Sequence, residues 1–165
     1  MRVYLGLGSN IGNPAGRLTA AVLALEKEGV RILKTSALYK TEPVGLSAQP
    51  WFINQVLEAD TEASPCALLA LAKKIEREGG RGSGPRNGPR TIDIDILLMD
   101  GVILRTESLT IPHERLAERR FVLIPMAEIA PRLVHPVLGK SMRTLLRDCH
   151  DRSIVRRIGR LRTRP

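Results

Sequence analysis

Two carboxylates, Asp93 and Asp95, stand one residue apart in the run Gly88-Pro89-Arg90-Thr91-Ile92-Asp93-Ile94-Asp95-Ile96-Leu97-Leu98-Met99. Gly88-Pro89 marks a loop, and the β-branched residues after it predict a strand. Alternation then sends Thr91, Asp93, Asp95 and Leu97 to one face, and Ile92, Ile94, Ile96 and Leu98 to a core face. The two acids come about 6.6 Å apart along such a strand. Like charges at that spacing beside apolar neighbours need a cation between them. Hard cations such as Mg²⁺ take oxygen ligands of this kind, with substrate phosphates and water completing the shell. Taken alone, the pair reads better as two acids on a wet face, neutralised by Arg86 and Arg90. Upstream, Gly79-Gly80-Arg81-Gly82-Ser83-Gly84-Pro85-Arg86-Asn87 is a glycine-rich loop whose charges are all positive. Arginine captures phosphate oxygens in pairs. A basic loop feeding an acidic strand suits phosphoryl transfer, where positioning and charge neutralisation supply most of the catalysis. A solvated loop, or one gripping nucleic-acid phosphates, stays open on these residues alone.

The elements that must hold this strand follow from caps and periodicity. Residues 2–7 predict a strand ending in Gly6-Leu7-Gly8-Ser9-Asn10-Ile11-Gly12. The glycine spacing excludes the G-x-G-x-x-G fingerprint, and no Walker lysine follows. Asn13-Pro14 starts a helix carrying Leu18, Ala21, Val22 and Leu25, which Gly29 stops. Residues 30–39 predict a second strand, and residues 41–50 a long turn-rich connection of the binding-loop kind. A third strand spans residues 52–59, with Phe52 and Asn54 on one face. Ser64-Pro65 opens a second helix (Leu68, Leu71, Ala72, Ile75) that ends at Gly79-Gly80. The order β-α-β-β-α-β predicts an α/β chain, an α+β sandwich with a ferredoxin-like βαββαβ core and C-terminal additions. Those additions are a short edge strand at 102–104, a short helix at 114–119, an apolar stretch at 121–130 interrupted by Pro125, and a helix at 142–149. Residues beyond these receive no assignment.

With 165 residues and 43% apolar content, the chain has enough material for one full-sized core. Its net charge of +9 owes much to Arg152, Arg156, Arg157, Arg160, Arg162 and Arg164, which points to anionic partners in general. Cys66 and Cys149 lack metal-ligand spacing and read as free thiols. Neither a signal peptide nor a membrane-length apolar run is evident, so a cytoplasmic setting is expected.

Together these motifs resemble the 6-hydroxymethyl-7,8-dihydropterin pyrophosphokinase family of folate biosynthesis. The matching residues are Gly8-Ser9-Asn10-Ile11-Gly12, Thr41-Glu42-Pro43, Asn54, the block from Arg86 to Leu97, Ile111-Pro112-His113, Arg119, Phe121, and Glu128-Ile129-Ala130-Pro131. The resemblance implies transfer of the β,γ-diphosphate of ATP, as one unit, to the pterin hydroxymethyl oxygen, with AMP leaving. It implies two Mg²⁺ on Asp93 and Asp95, bridging the triphosphate and helping orient the attacking oxygen. Arg81, Arg86 and Arg90 join the two acids as catalytic residues. ATP is expected at Arg86, Arg90, Ile96, Thr110, His113 and Arg119. The pterin is expected between Phe52 and Phe121, with Asn54, Asp93, Thr41, Pro43, Val44 and Gly45 around it. A monomer acting on small molecules, with no nucleic-acid or membrane partner, is the family expectation. By composition alone, Phe52 and Phe121 would be core residues and His113 a turn histidine satisfied by backbone.

The chain departs from the family pattern at three places. Ser83-Gly84 replaces a further basic residue in a loop that is one residue shorter than in some relatives, Asn87 replaces a tryptophan, and Ser108 stands where some relatives carry a base. These bear on the loop arginines and on ATP affinity, not on the reaction. Two other classes predict differently. An RNA-binding ferredoxin-like module requires exposed aromatics and an RNP1-like run, which the chain lacks. A two-metal nuclease requires more acidic ligands.

Overall fold

The computed structural model describes residues 1–45, 47–80 and 88–160. In strand β1 (Arg2–Ser9), Val3, Leu5 and Leu7 are apolar and buried on one face, which ends in buried Ser9, whereas even positions carry Arg2, Tyr4, Gly6 and Gly8. The odd face meets two helices. In α1 (Pro14–Lys27), the Asn13 side chain accepts from the Gly16 amide at 3.1 Å and Pro14 fills the first turn. In α2 (Pro65–Glu78), Ser64 Oγ accepts from the Ala67 amide at 3.3 Å. Leu18, Ala21 and Leu25 join Leu68, Ala72 and Ile75 over that face, as their helical spacing predicts.

Strands β2 (Arg31–Thr35), β3 (Leu38–Thr41), β4 (Phe52–Asp60) and β5 (Asp93–Met99) complete the antiparallel core. The order is β5-β1-β4-β3, with β2 also on β4, which is the ferredoxin-like arrangement expected from the element order. One expected strand is two. Between β2 and β3, the Val56 amide donates to the Ser36 hydroxyl at 3.0 Å, and the Ala37 amide donates to Glu128 at 2.9 Å. Side chains have taken over ladder positions there, so the strand breaks.

β5 begins at Asp93, two residues later than expected, and it carries a bulge. Tyr4 pairs with Leu98 while Leu5 pairs with Ile96, leaving Leu97 as the extra residue. Leu98 therefore turns away from the face expected for it and packs with Leu97, Tyr4 and Val56. Past Asp100, β6 (Leu104–Arg105) pairs with β7 (Thr110–Ile111), and the short helix expected at 114–119 is only a 3₁₀ turn, Leu116–Glu118. The apolar stretch is a helix, α3 (Arg120–Ile129), with Pro125 inside it, and α4 (Met142–Asp148) follows a Ser141 cap. Val122, Leu123, Met126, Met142 and Leu145 bury the Tyr4 end of the even face and leave the glycine end uncovered. The basic segment left unassigned by sequence contains a further strand, β8 (Val155–Gly159), antiparallel to β3 at the sheet edge. No helix among the described residues is long and apolar enough to cross a membrane. Both cysteines are free, Cys66 exposed and Cys149 buried.

Candidate active site

At the glycine end of β1, Gly6 lies between Val56 and Asp95, and Gly8 between Asn54 and Asp93. Directly opposed residues share a face, so the missing side chains leave a trough between β4 and β5. A methyl group at Gly8 would stand 2.6 Å from Asn54 Oδ1, and one at Gly6 would stand 3.3 Å from Leu97. The trough opens into a cleft of about 230 Å³. Its walls bring together Thr41, Val44, Phe52, Asn54, Arg90, Asp93, Asp95, His113, Arg119 and Phe121, all expected from sequence. Residues distant in the chain thus converge on one place.

Asp93 and Asp95 share the floor but not an environment. Arg90 Nη1 forms an ion pair with Asp93, as the plain reading of two neutralised acids anticipated. The Asp95 side chain has neither ion pair nor hydrogen bond among the described residues. Burial first, then the charge of Asp93, push its carboxyl from an ordinary 3.8 up to about 6, against the pull of Arg119, Lys73 and Arg90. Such a carboxylate is short of positive charge and of hydrogen-bond donors. Oxygen donors on adjacent same-face positions suit a hard cation. Among the described residues no third acidic, histidine or cysteine side chain joins them, so the protein offers an open pair and not a closed cage.

The opposite wall is basic. Arg119 is partly buried, its Nε has no hydrogen-bond partner among the described residues, and its guanidinium lies 5.6 Å from the Phe121 ring centre. Burial, and next the charge of Arg115, lower its pKa, so an anion entering the cleft would relieve both penalties. His113 N–H donates to Leu97 O at 2.8 Å, and its Nδ1 accepts from the Arg115 amide at 3.1 Å. Burial, then Arg119, hold its pKa below 6.5, so at neutral pH it is uncharged with the proton on Nε2. It is therefore both the backbone-satisfied turn histidine and a cleft residue.

Phe52 and Phe121 are half-buried and line the cleft, whereas composition placed them in the core. Asn54 Nδ2 donates to Thr41 Oγ1 at 2.6 Å, which fixes the orientation of its amide. Four expected residues do not line the cleft. Ile96 points its side chain into the core at 4% exposure, Thr110 lies in β7, and Pro43 and Gly45 stand in the connection after β3. Arg81 and Arg86, with Ser83, Gly84 and Asn87, lie outside the described residues.

Sequence reasoning missed the role of Gly6 and Gly8 as the floor, although two alternate glycines in an apolar strand are a signal of close approach. It also passed over the part played by Asn10. This residue is 4% exposed and donates to Gln49 Oε1 and Pro50 O, and its Oδ1 accepts from the Arg90 amide at 2.8 Å. One side chain thereby joins the loop before β5 to the loop before β4.

Comparison with known proteins gives these residues a setting. The family profile described as 7,8-dihydro-6-hydroxymethylpterin-pyrophosphokinase matches residues 4–131. A 2-amino-4-hydroxy-6-hydroxymethyldihydropteridine pyrophosphokinase of Methylorubrum extorquens is 44% identical over 156 residues, covering 94% of this chain and 98% of the relative. That of Bacillus subtilis is 46% identical over 127 residues, 76% of each chain. The Folic acid synthesis protein fol1 of Schizosaccharomyces pombe is 43% identical over 144 residues, which are 87% of this chain but only 20% of that protein. Among solved structures, the Plasmodium falciparum HPPK-DHPS with pteroate matches with a TM-score of 0.71 at 17% identity, covering 89% of this chain and 42% of the other. This last likeness concerns the fold.

Proposed function

Because the chain belongs to the 7,8-dihydro-6-hydroxymethylpterin-pyrophosphokinase family, we propose that it transfers the β,γ-diphosphate of ATP to the hydroxymethyl oxygen of 6-hydroxymethyl-7,8-dihydropterin. AMP is released, and the pterin diphosphate proceeds to folate biosynthesis. The observation that carries this reading is Asp95, a half-buried carboxylate whose side chain has no partner among the described residues, beside Asp93 on the floor of a cleft whose far wall holds Arg119, its Nε likewise unbonded among them.

In this reading Asp93 and Asp95 would hold two Mg²⁺, and the pair fits them because it supplies hard oxygens and Asp95 has no ion pair among the described residues. Bound there, Mg²⁺ would supply positive charge to offset the triphosphate and the charge that develops on the reacting oxygens. The chain's own residues do the rest. Arg119 and Arg90 bind phosphate oxygens, and Arg90 must then release Asp93 or share it. Arg81 and Arg86 are assigned to the same task from the family pattern alone. Neutral His113 donates from Nε2 to the nucleotide side, where Thr110 and the main chain of Ile96 also belong. Phe52 and Phe121 stack on the flat pterin, and Asn54, held by Thr41, reads its amide-like edge. Pro43, Val44 and Gly45 offer main-chain groups. The protein works as one domain, as a cytoplasmic monomer.

An RNA-binding module fits less well. The sheet face that such a module would present is half covered by α3 and α4, and the remainder carries two carboxylates that repel phosphate. The deciding assay supplies ATP, Mg²⁺ and the hydroxymethyl-dihydropterin and follows nucleotide products. Pterin-dependent AMP supports the assignment. ADP, or AMP formed equally well without pterin, removes it.

A further inference from the structure

The segment following α4 touches both walls assigned to the pterin without lining the cleft itself. Asp151 Oδ2 accepts from the Arg120 amide at 2.8 Å, capping the start of α3, where the next residue is Phe121. Three residues on, Ile154 makes a reciprocal pair with Glu42. The Glu42 amide donates to Ile154 O at 3.1 Å, and the Ile154 amide donates to the Glu42 carboxylate at 2.5 Å. Val155 then pairs with Thr41, the residue that holds Asn54. Finally, Arg156 lies 5.8 Å from the ring centre of Trp51, with Lys40 at 6.0 Å from the same ring, and Trp51 immediately precedes Phe52. Cations over an indole face at these distances are attracted to it.

We propose that residues 151–156 are positioning residues for the pterin, a strap that fixes the Phe121 wall relative to the Thr41, Asn54 and Phe52 wall. This rests on the pterin assignment above. The strap contacts one wall at the first turn of a helix. It contacts the other at both ends of the β3–β4 connection, Glu42 and Trp51. A flat ring held between two walls is sensitive to their spacing, so loosening the strap weakens pterin binding selectively. The nucleotide side, built from β5, His113 and Arg119, meets the strap only through Asp151 at the Arg120 amide and shares none of the contacts of Ile154 and Arg156. Ile154 is 41% exposed and Arg156 is exposed, so neither side chain is needed for the core.

Ile154→Pro removes the amide donor that the Glu42 carboxylate accepts from, and Arg156→Glu removes one of the two cations over Trp51 while leaving the backbone intact. The first should raise the pterin KM about tenfold, the scale of a hydrogen bond to a charged group. The second should raise it about threefold, and Arg156→Lys should restore most of that loss. The ATP KM and kcat should stay within twofold. An unchanged pterin KM in Arg156→Glu overturns the strap, as does an equal rise in both KM values with a matching fall in melting temperature. Hydrogen exchange at the Glu42 amide reads the strap with no substrate present. Faster exchange in Ile154→Pro supports it, and unchanged exchange overturns it, even if the wild type makes no pterin-dependent AMP and only the proposed reaction fails.

Discussion

The same face of the sheet carries two pairs of acids, each with one residue between, and they have opposite fates. At one end, Glu58 and Asp60 of β4 meet Arg2, Lys34 and Arg31. Lys34 Nζ lies 2.9 Å from Glu58, Arg2 Nε 2.9 Å from Asp60, and Arg31 2.8 Å from Asp60. Arg2 also forms an ion pair with Glu58. At the other end, Asp93 and Asp95 of β5 share one described arginine, and only Asp93 bonds to it. The strand between them decides the matter. β1 places Arg2 beside the first pair and Gly6 and Gly8 beside the second. The first pair is closed by ion pairs to both acids, whereas in the second Asp93 is paired and Asp95 meets no such partner among the described residues. The pKa directions agree. Hydrogen bonds from Arg2, above all, hold Asp60 below the usual carboxylate value, whereas burial holds Asp95 above it.

Neutralising one member of each pair should therefore separate function from stability. Asp95→Asn should lower turnover about a thousandfold, the scale for losing a group that stabilises transition-state charge, measured as AMP release. A loss of less than tenfold would break the comparison. The same variant should be more stable than the wild type in the absence of ligand. Asp95 binds its proton more tightly folded than unfolded, so stability falls as pH rises from about 4 through about 6, and the ionised form carries a cost at pH 7. Asparagine removes that cost, on the order of 3 kcal/mol, visible in denaturant melts at pH 7 and absent at pH 3. Asp60 has the opposite sign, since its contribution is present above its unfolded value and is lost as pH falls through the folded one.

Truncating a wall of the open end comes next in size. Phe121→Ala should weaken pterin binding by about 1–3 kcal/mol, as for loss of a stacked base, with titration calorimetry as the check. An unchanged affinity would return Phe121 to the core beside Val122. Glu58→Gln should show the reverse pattern, losing about 1–2 kcal/mol of stability from a buried acceptor of charged donors while keeping kcat. A comparable loss of turnover would mean that the closed end is not merely structural. Smallest and most specific, Gly8→Ala should displace Asn54 Oδ1 and raise the pterin KM severalfold with little change in ATP KM.

How much of this was legible in the chain depends on whether the cause was local. Asn13-Pro14 and Ser64-Pro65 encode their helix starts within four residues, and the acids of β5 announce themselves by alternation. The break at Ser36 was hidden because it depends on Val56, Gln55 and Glu128, which come from other elements. The flip of Leu98 was hidden for the same reason, since a bulge is a property of two strands and not of one. β8 escaped because Val155-Arg156-Arg157-Ile158-Gly159 has no clean alternation, and its place is set by the β3 edge. At the site, the acids were legible from alternation and charge, whereas the aromatics and Asn54 were legible only through the family motif. Local physics left Phe52 and Phe121 equally at home in a core, and the cleft exists because Gly6 and Gly8 lie between two distant strands.

The central claim is that the open acidic pair seats divalent cations against a triphosphate. Crystals grown with Mn²⁺ and a non-hydrolysable ATP analogue, read by anomalous scattering, test it most directly. The account predicts metal peaks within bonding distance of Asp93 and Asp95, no such peaks at Glu58 and Asp60, and loss of the first set in Asp95→Asn. Nucleotide bound in the cleft with Arg90 still on Asp93 and no metal beside Asp95 would contradict it.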